Sequence, residues 1–172
     1  SILVEQFKKY HKQYFPDWKF IIAGGLTDTG GKSILEELKK ESKGFPIQII
    51  VNPSFAQLVN LYKKAKIYWH AAGFGEDIQK FPEKAEHFGI TTLEAMAAGA
   101  VPIVFRGGGQ KDIVSDGKNG FLWDTPETLI EKTREVINND TLRIKLGEEA
   151  AARAEDFSKE HFYEKLETLI TN

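Results

Sequence analysis

Two glutamates, Glu86 and Glu94, stand eight residues apart in the stretch EHFGITTLEAMAAG, with Gly89 between them. The first falls just outside a predicted helix start and the second about one turn inside it. Gly89 lets the backbone turn tightly, and Ile90, Thr91 and Thr92 then present free N–H groups where the helix dipole favours an anion. Together these residues make a phosphate seat flanked by two carboxylates. Carboxylates do not attract phosphate, so their use lies in accepting hydrogen bonds from hydroxyls on either side of it, as on a ribose and a sugar. A nucleotide sugar has that layout. From spacing alone the plainer reading is favoured, in which Glu94 complements the dipole and Glu86 is a solvated loop charge.

Other motifs are weaker. The loop GGLTDTGGKS, residues 24–33, ends like a P-loop, but the glycine that motif requires five residues before Gly31 is Leu26. No later strand ends in an Asp that would hold magnesium, so the loop reads as turn chemistry. Gly107, Gly108 and Gly109 either bring bare amides up to an anion or sugar, or make a tight turn that glycine alone tolerates. His70 reads as a strand-end histidine hydrogen-bonded within the sheet, with a catalytic histidine as the lesser alternative, and His87 as a variable position. There is no Asp-x-Asp pair or His cluster to hold a divalent metal, and neither a metal nor a cofactor is expected.

The elements that must position these residues follow from apolar periodicity. Leu3, Phe7, Tyr10 and Tyr14 predict an amphipathic helix ending before Pro16. Residues 19–24, 47–51 and 67–72 read as buried strands, residues 101–105 as a fourth and 120–123 as a fifth. Helices are expected over 33–40, after a Ser54/Gln57 capping box, over 91–98 and from Pro126 to about 138. Another is expected from an Asp140 cap to about 154, and a last one capped by Ser158 with a Phe157/Phe162 staple. Phe7, Tyr10, Tyr14, Phe157 and Phe162 read as core. Residues 73–86 lose periodicity and read as a surface loop. Strands alternating with helices predict one α/β domain over residues 1–172, a doubly wound, Rossmann-like parallel sheet with helices on both faces. Such sheets bind ligands beyond the carboxyl ends of their strands, here the loops after Gly24, Val51, Ala72 and Phe105.

Composition narrows the function. The chain has 172 residues, 41% hydrophobic and 28% charged, values of a folded globular protein. With 23 Lys and Arg against 25 Asp and Glu, the net charge of -2 supplies no field for nucleic acid or an anionic membrane. Absence of Cys removes disulfides, thiolate metal sites and thiol nucleophiles, and fits a cytoplasmic location. No apolar run approaches the ~20 residues of a membrane span. The start at Ser1, already inside a helical pattern, leads us to expect a fragment of something longer.

From the third strand onward the order is Glu86 with Phe88 and Gly89, then EAMAAG from Glu94 and VPIV from Val101. Gly108-Gly109, Ile113-Val114 and the turn DGKNGFL from Asp116 follow. Over nearly the whole chain this resembles the donor-binding C-terminal domain, one half of the GT-B fold, of retaining glycosyltransferases of group one (family four). The resemblance implies transfer of a hexosyl group from a nucleoside diphosphate sugar to a hydroxyl acceptor, with the leaving phosphate taking the acceptor proton. It makes Glu86 the carboxylate that meets the donor sugar, helped by the amides of Phe88 and Gly89. Ile90 and Thr91 would bind the diphosphate and Glu94 the ribose. The nucleobase would lie against Asn52 and Pro53, although Pro53 has no N–H to offer. The family's basic pair lies ahead of the first helix, and its acceptor site in an N-terminal domain; neither is in this sequence, so the chain alone is expected to be inactive. The loop before Glu86 is longer than the family pattern. The alternative is a non-catalytic nucleotide- or sugar-binding regulatory domain of the same fold.

Overall fold

A computed structural model describes residues 1–26 and 29–171. Five strands, β1 (Phe20–Gly24), β2 (Ile47–Val51), β3 (Ile67–His70), β4 (Val101–Phe105) and β5 (Phe121–Trp123), are all parallel to their neighbours. They form a two-stranded sheet, β1-β2, and a three-stranded sheet in the order β3-β4-β5. Eight helices are described: α1 (Ile2–Tyr14), α2 (Thr29–Ser42), α3 (Phe55–Lys64), α4 (Ile90–Ala97), α5 (Gln110–Ile113), α6 (Pro126–Ile137), α7 (Asp140–Glu155) and α8 (Lys159–Thr171). This is the expected Rossmann-like class of parallel strands with helices on both sides. The chain divides into two compact units, Ser1–Leu61 and Tyr62–Asn172.

In the first unit, Phe7 of α1 packs against Phe15 and Phe20 at ring separations of 5.4 Å each. The strands here are less buried than their apolar sequences predict, with Ile21 of β1 42% exposed and Val51 of β2 38% exposed. The reason is geometric: among the described residues β1 pairs with β2 alone, so a two-stranded ladder leaves side chains with few neighbours to cover them. The α3 capping box forms as expected, Ser54 N–H donating to Gln57 Oε1 at 2.8 Å and Gln57 N–H to Ser54 Oγ at 3.3 Å. Helix α2 begins at Thr29, earlier than expected. Thr27 and Asp28 of the GKS loop lie outside the described residues.

The second unit holds the deeper core. Successive residues Val101, Pro102, Ile103 and Val104 of β4 are all buried, which requires cover on both faces because strand side chains alternate. Pro102 is tolerated in this central strand because Val101 N–H is directed at β3, donating to Lys66 O at 3.0 Å. The next nitrogen therefore faces β5, whose ladder starts one residue later with Phe121 opposite Ile103. Met96, Val104, Ile113, Val114, Leu122 and Ala150 form the centre of the core.

Three local expectations need correction. Strand β3 stops at His70, not residue 72, because Ala71 O accepts Phe74 N–H at 3.1 Å and closes a turn. Asn139, not Asp140, caps α7: its side chain accepts Leu142 N–H at 2.9 Å, while Asp140 is held by Arg143 at 2.7 Å. The Phe157/Phe162 staple is absent, since Phe157 lies under the Arg153 guanidinium at 4.6 Å and Phe162 is 62% exposed.

The DGKNGFL turn is held by its own side chains. Buried Asn119 accepts Ser115 N–H at 2.8 Å and donates to Ile113 O at 3.4 Å; Asp116 accepts Leu122 N–H at 2.9 Å and Arg106 at 3.0 Å. Asn119→Ala orphans the Ser115 amide and leaves the Ile113 carbonyl with the Arg153 Nε donor alone, at 3.4 Å. It is expected to lower stability by about 1–3 kcal/mol, measured by chemical denaturation.

Candidate functional site

The site starts from the two-residue period of β3. Tyr68 and His70 project from one face and Trp69 from the other, where its Nε1 donates to Thr133 Oγ1 of α6 at 3.0 Å. On the first face Tyr68 and His70 lie side by side, ring centroids 6.4 Å apart. Tyr68 shares a hydrogen bond with Thr91 Oγ1 at 2.7 Å, and His70 Nε2 meets Glu86 Oε2 at 3.1 Å. His70 thus reaches out of the sheet to the loop, where the sequence led us to expect a bond within the sheet. Burial lowers its proton affinity, partly offset by the Glu86 charge, so the neutral imidazole is favoured.

Glu86 is gripped at three points. Oε1 accepts Gly89 N–H at 3.0 Å and, more weakly, Phe88 N–H at 3.4 Å; Oε2 meets His70; and its carbonyl accepts Gly109 N–H at 2.8 Å. The amides of Phe88 and Gly89, expected to help bind a sugar, here orient the carboxylate. Gly89 makes this possible. At φ 90° it is left-handed, and it turns the chain so that its carbonyl starts α4 by accepting from Thr92 at 3.0 Å and Leu93 at 3.1 Å.

The glycine turn closes over the back of this loop. A Cβ on Gly108 would collide with the Glu86 carbonyl, and one on Gly109 with the His87 carbonyl. Gly107 and Gly109 spend their amides on Phe105 O and Glu86 O, at 2.8 Å each, which favours the close-packing reading of the glycines over anion capture. The long loop is ordered by a Lys84–Glu76 ion pair and by Phe74 packed on Trp123, 5.1 Å between centroids. Ile78, Gln79 and Pro82 of this loop, with Glu86, Gly108 and Lys111, border an open depression of about 470 Å³. The loop therefore shapes the space beside Glu86.

One turn into α4, Glu94 Oε2 accepts the Tyr62 hydroxyl at 3.0 Å. Burial and the neighbouring carboxylate push the Tyr62 pKa up, so the hydroxyl stays protonated and donates. Glu94 is exposed, as are Ile90 and Thr91, whose amides belong to the first helical turn and have no acceptor within it. Glu86, Phe88, Gly89, Ile90, Thr91 and Glu94 thus form one continuous wall in the second unit. Asn52 and Pro53 belong to the first unit, where Asn52, at φ 50°, donates its N–H to Gly24 O at 2.9 Å and accepts Leu26 N–H at 2.8 Å. Among the described residues no group of three His, Cys, Asp or Glu is placed to hold a metal, and no helix is long and apolar enough to cross a membrane.

Sequence reasoning missed Tyr62, Tyr68 and Gln110 as partners of the site. The Tyr-x-His alternation of β3 was a usable signal for Tyr68. Nothing in the sequence marks Gln110, which is fully buried and donates from Nε2 to His70 Nδ1 at 3.4 Å.

Residues 1–153 match the profile of the family described as glycosyl transferases group 1. Among curated relatives, the GDP-Man:Man(3)GlcNAc(2)-PP-Dol alpha-1,2-mannosyltransferase of Dictyostelium discoideum is 27% identical over 165 residues, 93% of this chain and 30% of its own. The crystal structure of Anabaena HepE in complex with UDP-glucose superposes with a TM-score of 0.77 at 20% identity, covering 99% of this chain and 44% of that one. The C-terminal domain of a group 1 glycosyl transferase, LpcC of Francisella tularensis, gives a TM-score of 0.66 at 23% identity, covering 88% and 75%. At these identities the two structures show a shared fold. The chain spans about a quarter to a third of the length of the curated relatives it matches.

The backbone contact between Gly108 and Glu86 is directly testable. In Gly108→Ala the new Cβ meets a carbonyl that cannot rotate away, on a backbone at φ 55°. We expect a loss of about 1–3 kcal/mol by thermal denaturation, with faster exchange of the Gly109 amide.

Proposed function

We propose that this chain, which belongs to the group 1 glycosyl transferases, is the donor-binding half of a longer retaining glycosyltransferase. It holds a nucleoside diphosphate sugar while the hexosyl group passes to a hydroxyl acceptor. The observation that carries this reading is the wall from Glu86 to Glu94: an oriented carboxylate, the open amides of a helix start and a second carboxylate, in that order. A negative diphosphate suits the amides of Ile90 and Thr91. Ribose hydroxyls donate to Glu94 on one side, and hexose hydroxyls to Glu86 on the other. For Asn52 and Pro53, which belong to the first unit, the contact proposed is with a nucleobase.

In the reaction the bond from the anomeric carbon to the phosphate oxygen breaks and its electron pair leaves with the diphosphate. The first-turn amides of α4 stabilise that charge without having to reorganise. The acceptor oxygen attacks from the face the diphosphate leaves, and its proton passes to the leaving phosphate oxygen. No side chain of this chain is required as a nucleophile, and no metal or cofactor takes part. The acceptor site and further cationic groups for the diphosphate come from an N-terminal domain. Residues 1–172 alone therefore bind donor weakly and do not transfer sugar. A chain with neither Cys nor strong net charge suits a cytoplasmic setting without nucleic-acid or membrane contacts of its own.

Two substitutions separate the carboxylates. Glu94→Gln is expected to weaken nucleoside diphosphate and nucleotide sugar alike, by roughly 1.5–3 kcal/mol, the worth of a hydrogen bond to a charged acceptor. Glu86→Gln is expected to weaken the nucleotide sugar and spare the bare nucleotide. Titration calorimetry finding both variants equally weak for the bare nucleotide would refute the division. Unchanged sugar transfer by Glu86→Ala in the full-length protein, with folding intact, would overturn the enzymatic assignment.

A further inference from the structure

We infer that His70, held by Gln110, is the positioning residue that presents the Glu86 carboxylate to the donor sugar. The inference rests on the reading of Glu86 as the sugar-binding carboxylate and adds a residue pair to it. The His70 side chain is 12% exposed and bridges Gln110 Nε2, at 3.4 Å from Nδ1, to Glu86 Oε2, at 3.1 Å from Nε2. An amide nitrogen can only donate, so Nδ1 accepts and the single ring proton of the neutral imidazole sits on Nε2, aimed at Glu86. The titratable groups facing the ring are Glu86, from the loop before α4, and Tyr68, beside it on β3.

Gln110 reinforces this assignment. It is fully buried, its Oε1 has no partner, and Nε2 points to His70. A leucine would suit that space better on packing grounds, so the side chain contributes to the site at the expense of the core. The arrangement also suits the chemistry. A neutral donor fixes the carboxylate plane without cancelling its charge, as a lysine or arginine would, and leaves a lone pair on Oε2 for a sugar hydroxyl. Oε1 is already fixed by the Gly89 amide, so the histidine bond removes the remaining rotation of the carboxylate.

The test compares His70→Gln, His70→Asn and His70→Leu in the full-length enzyme. Glutamine places an amide nitrogen near the Nε2 position and keeps the donor; asparagine keeps the acceptor toward Gln110 and loses the donor to Glu86. We expect Asn and Leu to lower kcat about 10- to 100-fold with nucleoside diphosphate binding unchanged, and Gln to recover to within about fivefold of wild type. Two-bond 1H–15N spectra of the wild-type protein at neutral pH are expected to show the Nε2–H tautomer, and Gln110→Leu to disturb it while thermal stability holds or rises. Wild-type transfer by His70→Leu, beside a Glu86→Ala variant that has lost it, would overturn the role of His70 and leave that of Glu86 standing. Unchanged transfer in Glu86→Ala would overturn the parent reading as well. If His70→Leu does not fold, the spectrum decides: an Nδ1–H tautomer or an imidazolium refutes the inference.

Discussion

The Glu86 carboxylate, fixed at one oxygen by the Gly89 amide and at the other by His70, is the constraint around which the second unit is arranged. Gly89 gives its N–H to that carboxylate and has to be left-handed for the chain beyond it to turn into α4, whose first amides are left open. His70 has to end β3 on the same face as Tyr68, whose hydroxyl reaches Thr91 at the start of that helix. Gly108 and Gly109 have to lack side chains so that the turn after β4 can press on the Glu86 and His87 carbonyls from behind. A shift of any of these moves the carboxylate relative to the helix terminus, and their fixed separation is what a sugar and its diphosphate would recognise together.

The two sequence markers have different physical meanings. The Glu86 to Glu94 stretch presents exposed amides and carboxylates, which is chemistry. The turn from Asp116 to Leu122 spends polar groups on its own backbone instead: buried Asn119 and exposed Asp116 satisfy backbone donors, and Arg106 ties Asp116 to Asp124 through bonds of 3.0 Å each. It sets where β5 begins and so how β4 is covered.

Much of the second unit was legible because its signals are local. Apolar runs marked β4 and β5, Pro126 opened α6, and Gly89 before a small-residue helix marked the start of α4. What escaped depends on long-range placement. Nothing near Gln110 in sequence announces that it will lie beneath Gly89 and against His70, forty residues away. Tyr62 reads as one apolar position of α3 until the structure sets its hydroxyl on Glu94. The burial of β1 and β2 was overestimated for a related reason: apolar composition reports what a strand can bury, and the neighbours that would cover it are not written in the strand itself.

The most direct measurement is a crystal structure of the full-length protein with an intact nucleotide sugar. The account predicts diphosphate oxygens within hydrogen-bond reach of the Ile90 and Thr91 amides, a ribose hydroxyl on Glu94 and a hexose hydroxyl on Glu86, with His70 still holding Oε2. A diphosphate bound away from the start of α4, or a hexose turned from Glu86 toward bulk solvent, would contradict it.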